Sequence, residues 1–315
     1  SRADLFTDAE PDVPEVFNLI KRMGRVQGVH SVFLNYPEHF IGPDGNELAA
    51  VELRDKILAA KLRPGAVCVR FPEEPFRLGA FSNPDGVIRE HAATLARKAC
   101  ATATALDADE VVIWPRYDGY DYNLQADYAT AWEDMIVGYK AVASSEECRS
   151  LKLSVEFKPT DEKSRFSFIP TTGAALLLVD AVGEPNFGLT LDVGHALAAG
   201  ENPAQSIAMA ASRNALFGVQ LGDGHTRLGA EDGLMFASVH PHAAMELVRA
   251  LRRISYAGVL YFDTFPLNED PVAEAERNAR VFRDFYARIV DVEVEIEDAI
   301  ASRDAIRALD AASRM

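Results

Sequence analysis

The chain has 315 residues, 48% of them hydrophobic, and its 32 Lys plus Arg set against 48 Asp plus Glu leave a formal net charge of −16. That composition supports a large core and excludes an intrinsically disordered chain. The acidic excess argues against binding nucleic acid through its phosphates and against docking on anionic lipid.

In chain order, residues 13–25 read as a helix, with Val16, Leu19 and Ile20 on one face and Gly24 near the stop. Strands follow at 29–36 (VHSVFLNY) and 66–71 (AVCVRF), then a helix at 84–105. The strand 110–114 (EVVIW) leads to a helix at 127–143, and the strand 151–157 (LKLSVEF) to a helix at 171–182. The strand 188–193 (GLTLDV) precedes a helix at 203–211, and 216–221 (LFGVQL) precedes one at 241–254. The last strand, 258–263 (GVLYFD), is followed by a helix at 271–289. The strands are short apolar runs closed by Gly, Pro or charge, as buried strands are. Four of the helices open at a proline (Pro84, Pro203, Pro241, Pro271), which suits a first helical turn. Strand–helix alternation implies parallel pairing through right-handed crossovers.

An open dinucleotide-binding sheet would carry G-x-G-x-x-G after an early strand, and the sequence has none. The expected fold is therefore an α/β, single-domain (β/α)8 TIM barrel over residues 1–289, with its first strand irregular or ahead of Ser1. The charged, Ala-rich tail 290–315 reads as an extra helix outside the barrel, facing another subunit. Cys68, Cys100 and Cys148 are odd in number and widely spaced, which reads as reduced thiols and a cytoplasmic location. The opening Ser1-Arg2-Ala3-Asp4 has no apolar signal region, and no apolar run reaches the roughly 20 residues of a membrane span.

Barrel enzymes place their chemistry at the C-terminal ends of the strands. Here those ends carry Asn35, His39, Arg70, Trp114, Glu156, Lys158, Asp192, His195, Gln220, Asp223, His225 and Asp263. Glu156, Asp192, Gln220 and Asp263 close four successive strands and so converge on one mouth. Three acids and an amide oxygen suit a hard divalent ion, Mn²⁺ before Mg²⁺, because uncompensated carboxylates at close quarters repel each other. His195, three residues after Asp192, is a candidate substrate-binding or proton-transferring group; a capping histidine is the plain alternative. Lys158 points to the same side as Glu156, to polarise a substrate oxygen or to pair with a carboxylate. Asp223, His225, Glu231 and Asp232 lie on one loop within reach of a second metal or a substrate hydroxyl. Trp114, with Tyr117, Tyr120 and Tyr122, offers stacking surface for a sugar ring or packing for the barrel rim.

Several segments resemble the xylose-isomerase-like TIM-barrel superfamily of sugar isomerases and epimerases, nearest its L-rhamnose-isomerase-like branch. They are VEFKP (155–159), LDVGHALAAGENP (191–203), DGYDY (118–122), VQLGDG (219–224), SVH (238–240) and DTFPLNEDP (263–271). The resemblance implies that Glu156, Asp192, residue 220 and Asp263 hold the catalytic divalent metal. It also implies that His195 meets substrate or a second metal, and that Lys158 sits beside the reacting carbonyl oxygen. The family usually has His where this chain has Gln220, a harder and weaker ligand.

The expected activity is metal-dependent isomerisation or epimerisation of an unphosphorylated sugar, with Glu156, Lys158, His195 and Asp263 as the catalytic groups. Trp114, His195, Asp223 and His225 are expected to bind the substrate. The first alternative resembles the metal-bearing barrel subunit of a C-glycoside deglycosidase, a lyase that eliminates the aglycone of a 3-keto glycoside and works with a small β-rich partner. The second is a non-catalytic sugar-binding barrel. The resemblance further implies a homo-oligomer.

Overall fold

A computed structural model of the chain describes residues 13–71, 73–161, 164–226 and 233–314. The barrel begins with α1 (Glu15–Met23), β1 (Ser31–Tyr36), α2 (Ala50–Ala59), β2 (Arg63–Val69), α3 (Glu73–Phe76), α4 (Gly86–Leu106) and β3 (Glu110–Ile113). It continues with β4 (Gly119–Tyr120), α5 (Tyr128–Ala143), β5 (Lys152–Glu156), β6 (Phe166–Ser167), α6 (Thr172–Val182) and β7 (Phe187–Asp192). The chain closes with α7 (Val193–Ala198), α8 (Pro203–Ser212), β8 (Leu216–Leu221), α9 (Pro241–Arg253), β9 (Leu260–Phe262), α10 (Pro271–Ala301) and α11 (Ala305–Ser313). Seven strands form one parallel sheet in the order β1-β2-β3-β5-β7-β8-β9, a nearly closed TIM barrel ringed by helices. β4 and β6 make a small antiparallel ribbon.

Strand alternation sorts the barrel into two layers. Val32, Leu34, Val67, Val69, Val111, Ile113, Leu153, Val155, Leu189, Leu191, Val219 and Leu221 join the large core shared with the helices. The intervening positions turn inward, where Ala66, Cys68, Val112 and Tyr261 pack with Phe33, Trp114 and Val259. Glu110, Ser154, Glu156, Thr190, Asp192 and Gln220 share that inward parity and are all buried.

Three differences from the expected elements have physical reasons. α2 has only Leu53 and Ile57 buried and no side-chain N-cap, so its periodicity is too thin to read from sequence. α10 runs unbroken through the boundary expected at residue 289, because Ile289, Ile296 and Ala299 continue one buried stripe; the separate extra helix is α11. α4 starts at Gly86 rather than Pro84, capped by the Asp85 carboxylate, which accepts the Val87 N–H at 2.8 Å.

The cysteines are also corrected. Cys100 and Cys148 are joined by a disulfide, and only Cys68 is a free buried thiol. α4 and α5 pack side by side and bring the two Cα atoms within 5.3 Å, a proximity that 48 residues of separation conceal. The reduced-thiol reading behind the cytoplasmic expectation therefore loses its basis. Among the described residues no helix is long and apolar enough to cross a membrane.

Below the mouth lies a buried polar floor. Glu110 Oε1 accepts from Ser154 Oγ at 3.3 Å and Thr190 Oγ1 at 3.2 Å, and Tyr261 OH reaches Oε2 at 3.5 Å. A Cβ at Gly218 would stand 2.7 Å from Glu110 Oε1, so only glycine leaves room for this carboxyl. Burial pushes the Glu110 carboxyl from 4.5 up to about 7, outweighing the stabilising hydroxyls.

Two outcomes follow. Unfolded without reductant, the chain should titrate one thiol, not three, with a thiol reagent. A carboxyl whose value rises on folding binds more protons in the folded state, so its contribution makes stability fall as pH climbs from 4.5 to about 7. Glu110→Gln should flatten that fall by up to about 3 kcal/mol, read from urea midpoints across the window.

Candidate functional site

The mouth is built one layer above that floor. Ser154, Thr190 and Gly218 of the floor lie two residues before Glu156, Asp192 and Gln220, so the same inward parity that makes the floor delivers the site. Glu156, Asp192, His195 and Gln220 are 5%, 3%, 4% and 3% exposed, and charges so deeply buried demand compensation.

Asp192 ends β7 and also caps α7, its Oδ1 accepting the His195 N–H at 2.8 Å. That cap turns the chain so that the His195 ring lies back over the strand ends. His195 Nδ1 is 2.9 Å from the Phe157 carbonyl oxygen, 3.6 Å from Glu156 Oε1 and 4.0 Å from Asp192 Oδ1. A carbonyl can only accept, so this network assigns the hydrogen to Nδ1 and leaves Nε2 with the lone pair. Gln220 Nε2 donates to Glu156 Oε2 at 2.8 Å, while Gln220 Oε1 is buried without a partner among the described residues. Burial raises the Glu156 carboxyl, opposed by His195 and reinforced by the charge of Asp263; Arg70 and the Gln220 amide pull it back down.

Ligand atoms of Glu156, Asp192 and His195 lie within 4.8 Å of one another and could hold a metal ion. Gln220 Oε1 adds a buried oxygen that lacks a partner. Carboxylate, amide and imidazole donors fit a divalent cation. This trio is not the expected set: His195 joins it and Asp263 does not. Asp263 lines the same cavity as Glu156 and Gln220 at the end of β9 and is close enough for its charge to act on Glu156.

Lys158 lies with Glu156, Trp114, Arg116 and Asp161 around a narrow cleft beside the trio. Two cations approach Trp114, Arg70 Cζ at 4.1 Å and Arg116 Cζ at 5.2 Å from its ring, and its indole N–H is buried without an acceptor among the described residues. The other aromatics do not build a sugar platform. Tyr120 stacks on Phe166 at 5.4 Å and packs on Tyr128 and Phe168, while Tyr122 is exposed beside Arg165.

Asp223 has a different role from the one expected. Its Oδ1 accepts from His240 Nδ1 at 2.8 Å and Gly224 N–H at 2.9 Å; its Oδ2 accepts from the N–H groups of Val239 at 2.8 Å and His240 at 2.9 Å. Four donors occupy the carboxylate's lone pairs and leave no acceptor for a substrate hydroxyl. His225 is exposed, and Glu231 and Asp232 lie outside the described residues.

Arg70 is the functional group that the sequence reading noted without choosing. It follows Ala66 and Cys68 on the inward parity of β2, and its Nε donates to Asn35 Oδ1 at 3.2 Å. Burial works to lower its pKa, but Cys68, Glu156, Asp263 and Glu38 together raise it. Asn35 is held from the other side: its N–H donates to His39 Nδ1 at 3.0 Å, and burial lowers His39 to about 4, keeping that nitrogen an acceptor. The missed signal was the alternation Ala66, Cys68, Arg70 continuing past the strand end.

The fold and this mouth place the chain in a known class: it belongs to the xylose isomerase-like TIM barrel family, matched over residues 13–285. A stretch of 203 residues is 26% identical to the xylose isomerase of Thermus thermophilus, covering 64% of this chain and 52% of that enzyme. Over 199 residues it is 28% identical to the xylose isomerase of Streptomyces lividans, covering 60% and 50% respectively. The chain thus spans about half the length of these two enzymes. Among solved structures, a D-psicose 3-epimerase from Clostridium cellulolyticum crystallised with D-tagatose superposes with a TM-score of 0.62 at 18% identity, over 86% of this chain and 92% of that one. An L-ribulose 3-epimerase gives 0.63 at 18% identity, over 85% and 87%. At such identities the likeness is one of fold.

Gln220 Oε1 would be a hard oxygen donor to an ion held by Glu156, Asp192 and His195. Gln220→His should tighten Zn²⁺ or Co²⁺ at least tenfold relative to Mg²⁺, because imidazole is the softer and stronger donor. Competition titration of the purified protein measures it, and an unchanged ratio would place residue 220 outside the coordination sphere.

Proposed function

We propose that the chain is a divalent-metal-dependent isomerase or epimerase of an unphosphorylated sugar, acting at a carbonyl and its adjacent hydroxyl. The observation that carries this reading is the buried group Glu156, Asp192, His195 and Gln220, with one amide oxygen left without a partner. Glu156 and Asp192 would hold the ion, with Gln220 Oε1 and either His195 or Asp263 completing the set. Mn²⁺ is the first choice and Mg²⁺ the second, since most of these donors are hard oxygens. A bound divalent ion would supply Lewis-acid polarisation of the substrate's carbonyl and hydroxyl oxygens.

The chain's own residues supply the rest. Asp263 faces the Glu156 side of the mouth from β9, and a carboxylate there can take the proton from the carbon next to the carbonyl. The electron pair of that C–H bond moves onto the carbonyl oxygen, where Lys158 steadies the developing negative charge. Return of a proton from a carboxyl on the opposite face inverts the centre; return to the former carbonyl carbon, with the hydroxyl proton passing to the former carbonyl oxygen, isomerises the sugar. Trp114, backed by Arg70 and Arg116, forms the wall against which a sugar ring can rest. The acidic chain favours a neutral polyol over a sugar phosphate. Within the family we place it nearest the L-rhamnose-isomerase-like branch, working as a homo-oligomer.

Glu156→Gln and Asp192→Asn should each lower the metal retained after desalting at least tenfold, measured by elemental analysis, while circular dichroism stays native. Retained metal in both variants would move the site elsewhere. Metal-loaded protein, screened against free aldoses, ketoses, their phosphates and 3-keto glycosides, should interconvert a free sugar. Turnover of keto glycosides alone, with a small second chain copurifying, would instead establish the lyase.

A further inference from the structure

Arg70 is anchored more firmly than a charge that only offsets nearby acids requires. Its backbone N–H donates to the Tyr36 carbonyl at 2.7 Å, its Nε donates to Asn35 Oδ1 at 3.2 Å, and its Cζ lies over the Trp114 ring at 4.1 Å. Asn35 is held in turn by His39, whose Nδ1 accepts the Asn35 N–H at 3.0 Å. Among the described residues the Arg70 side chain makes no other hydrogen bond or ion pair, so Nη1 and Nη2 are donors without an acceptor. With Nε committed to Asn35, the open edge is the one that bears both Nη groups. That edge is a planar pair of donors matched to the two oxygens of a carboxylate. Its anchors have already removed the side chain's rotamer freedom, so little is left to lose when an anion binds. Arg70 lines the same cavity as Glu156, Gln220 and Asp263, which places the fork at the proposed reaction site.

The charges at the mouth set the sign and size of that anion. On the function proposed above, Glu156, Asp192 and Asp263 would face a divalent ion together with Arg70 and Lys158, which leaves one positive charge over. Arg116 does not enter the count, because its Nε pairs with Asp161 Oδ1 at 3.0 Å, and His195 carries its hydrogen on Nδ1 against the Phe157 carbonyl. Asp223 is saturated by its own four donors. Glu38, whose charge also reaches Arg70, is exposed to water that screens it. One negative charge on the substrate therefore closes the count, whereas a neutral sugar leaves a buried surplus and a phosphate dianion overshoots. The acidity of the whole chain, which favours a neutral polyol over a phosphate, acts at distances where salt screens it; Arg70 would touch the ligand.

We propose that Arg70 is a specificity-determining residue that binds a carboxylate of the substrate through Nη1 and Nη2, so that the sugar is a sugar acid such as a uronate. The inference rests on the metal-dependent reading above and narrows its substrate class. Calorimetric titration of the Mn²⁺-loaded protein tests it without requiring turnover. The probes are D-glucuronate, D-galacturonate and D-mannuronate, each beside its neutral parent sugar. At least one uronate should bind about tenfold tighter than its parent. Arg70→Met should erase that preference. Arg70→Lys keeps the charge that offsets Glu156 but not the planar fork, and should lose most of the preference while neutral sugars bind as before. Should Arg70→Met fail to fold, Arg70→Lys decides alone. No uronate preference in the unmodified protein, or a preference that survives substitution of Arg70, would overturn the assignment. The two readings fail separately. A neutral sugar converted equally well by the unmodified protein and by Arg70→Lys keeps the isomerase and removes the carboxylate. A uronate held through Arg70 but never converted keeps the carboxylate and removes the isomerase.

Discussion

Carrying a carboxylate into a barrel costs far more than folding can spare unless something nearby offsets it. Glu156 is where that constraint falls hardest, since burial raises its carboxyl and the charge of Asp263 adds to the strain. The groups around it answer that cost in kind. His195 and the Gln220 amide stand against its two oxygens, and Arg70 offers a third compensation across the mouth. Asp192 is partly paid off differently, by the N-terminus of α7 that it caps. A cation held among these donors would complete the compensation and, on the proposed function, would supply the site's chemistry.

The floor of the barrel shows the constraint solved without an ion. Glu110 is surrounded by hydroxyls and by the space that Gly218 leaves, and its carboxyl rises to about 7. The two layers therefore separate buried acids by what their neighbours can do. Burial raises both carboxyls; below, only hydroxyls oppose it, whereas above, imidazole, guanidinium and amide do. Asp223 is a third case, sealed by four donors into bracing the loop that carries His240. Three buried acids near the ends of barrel strands thus have three different fates.

The loops over the mouth are held by the same logic. Asp118 is fully buried and accepts from the N–H groups of Ala80, Phe81 and Ser82 and from the Ser82 hydroxyl, while its own carbonyl accepts from Phe168 N–H. One residue thereby stitches together the segments after β2, after β3 and after β5. Trp114–Arg116 leads directly into that stitched platform, and Asp118 of the DGYDY segment is its centre.

Much of this was legible in one dimension. Short apolar runs at regular intervals dictated parallel strands, and their polar last residues dictated a mouth, because alternation and burial are local properties of the chain. Glu156, Asp192, Gln220 and Asp263 could be placed on one rim by counting alone. What counting could not supply was distance between elements. Only the packed structure brought His195 into the trio ahead of Asp263, tied Cys100 to Cys148, filled the Asp223 carboxylate with donors and set Arg70 against Trp114. Each of these depends on how one element leans on another, and periodicity within a segment carries no record of its neighbour.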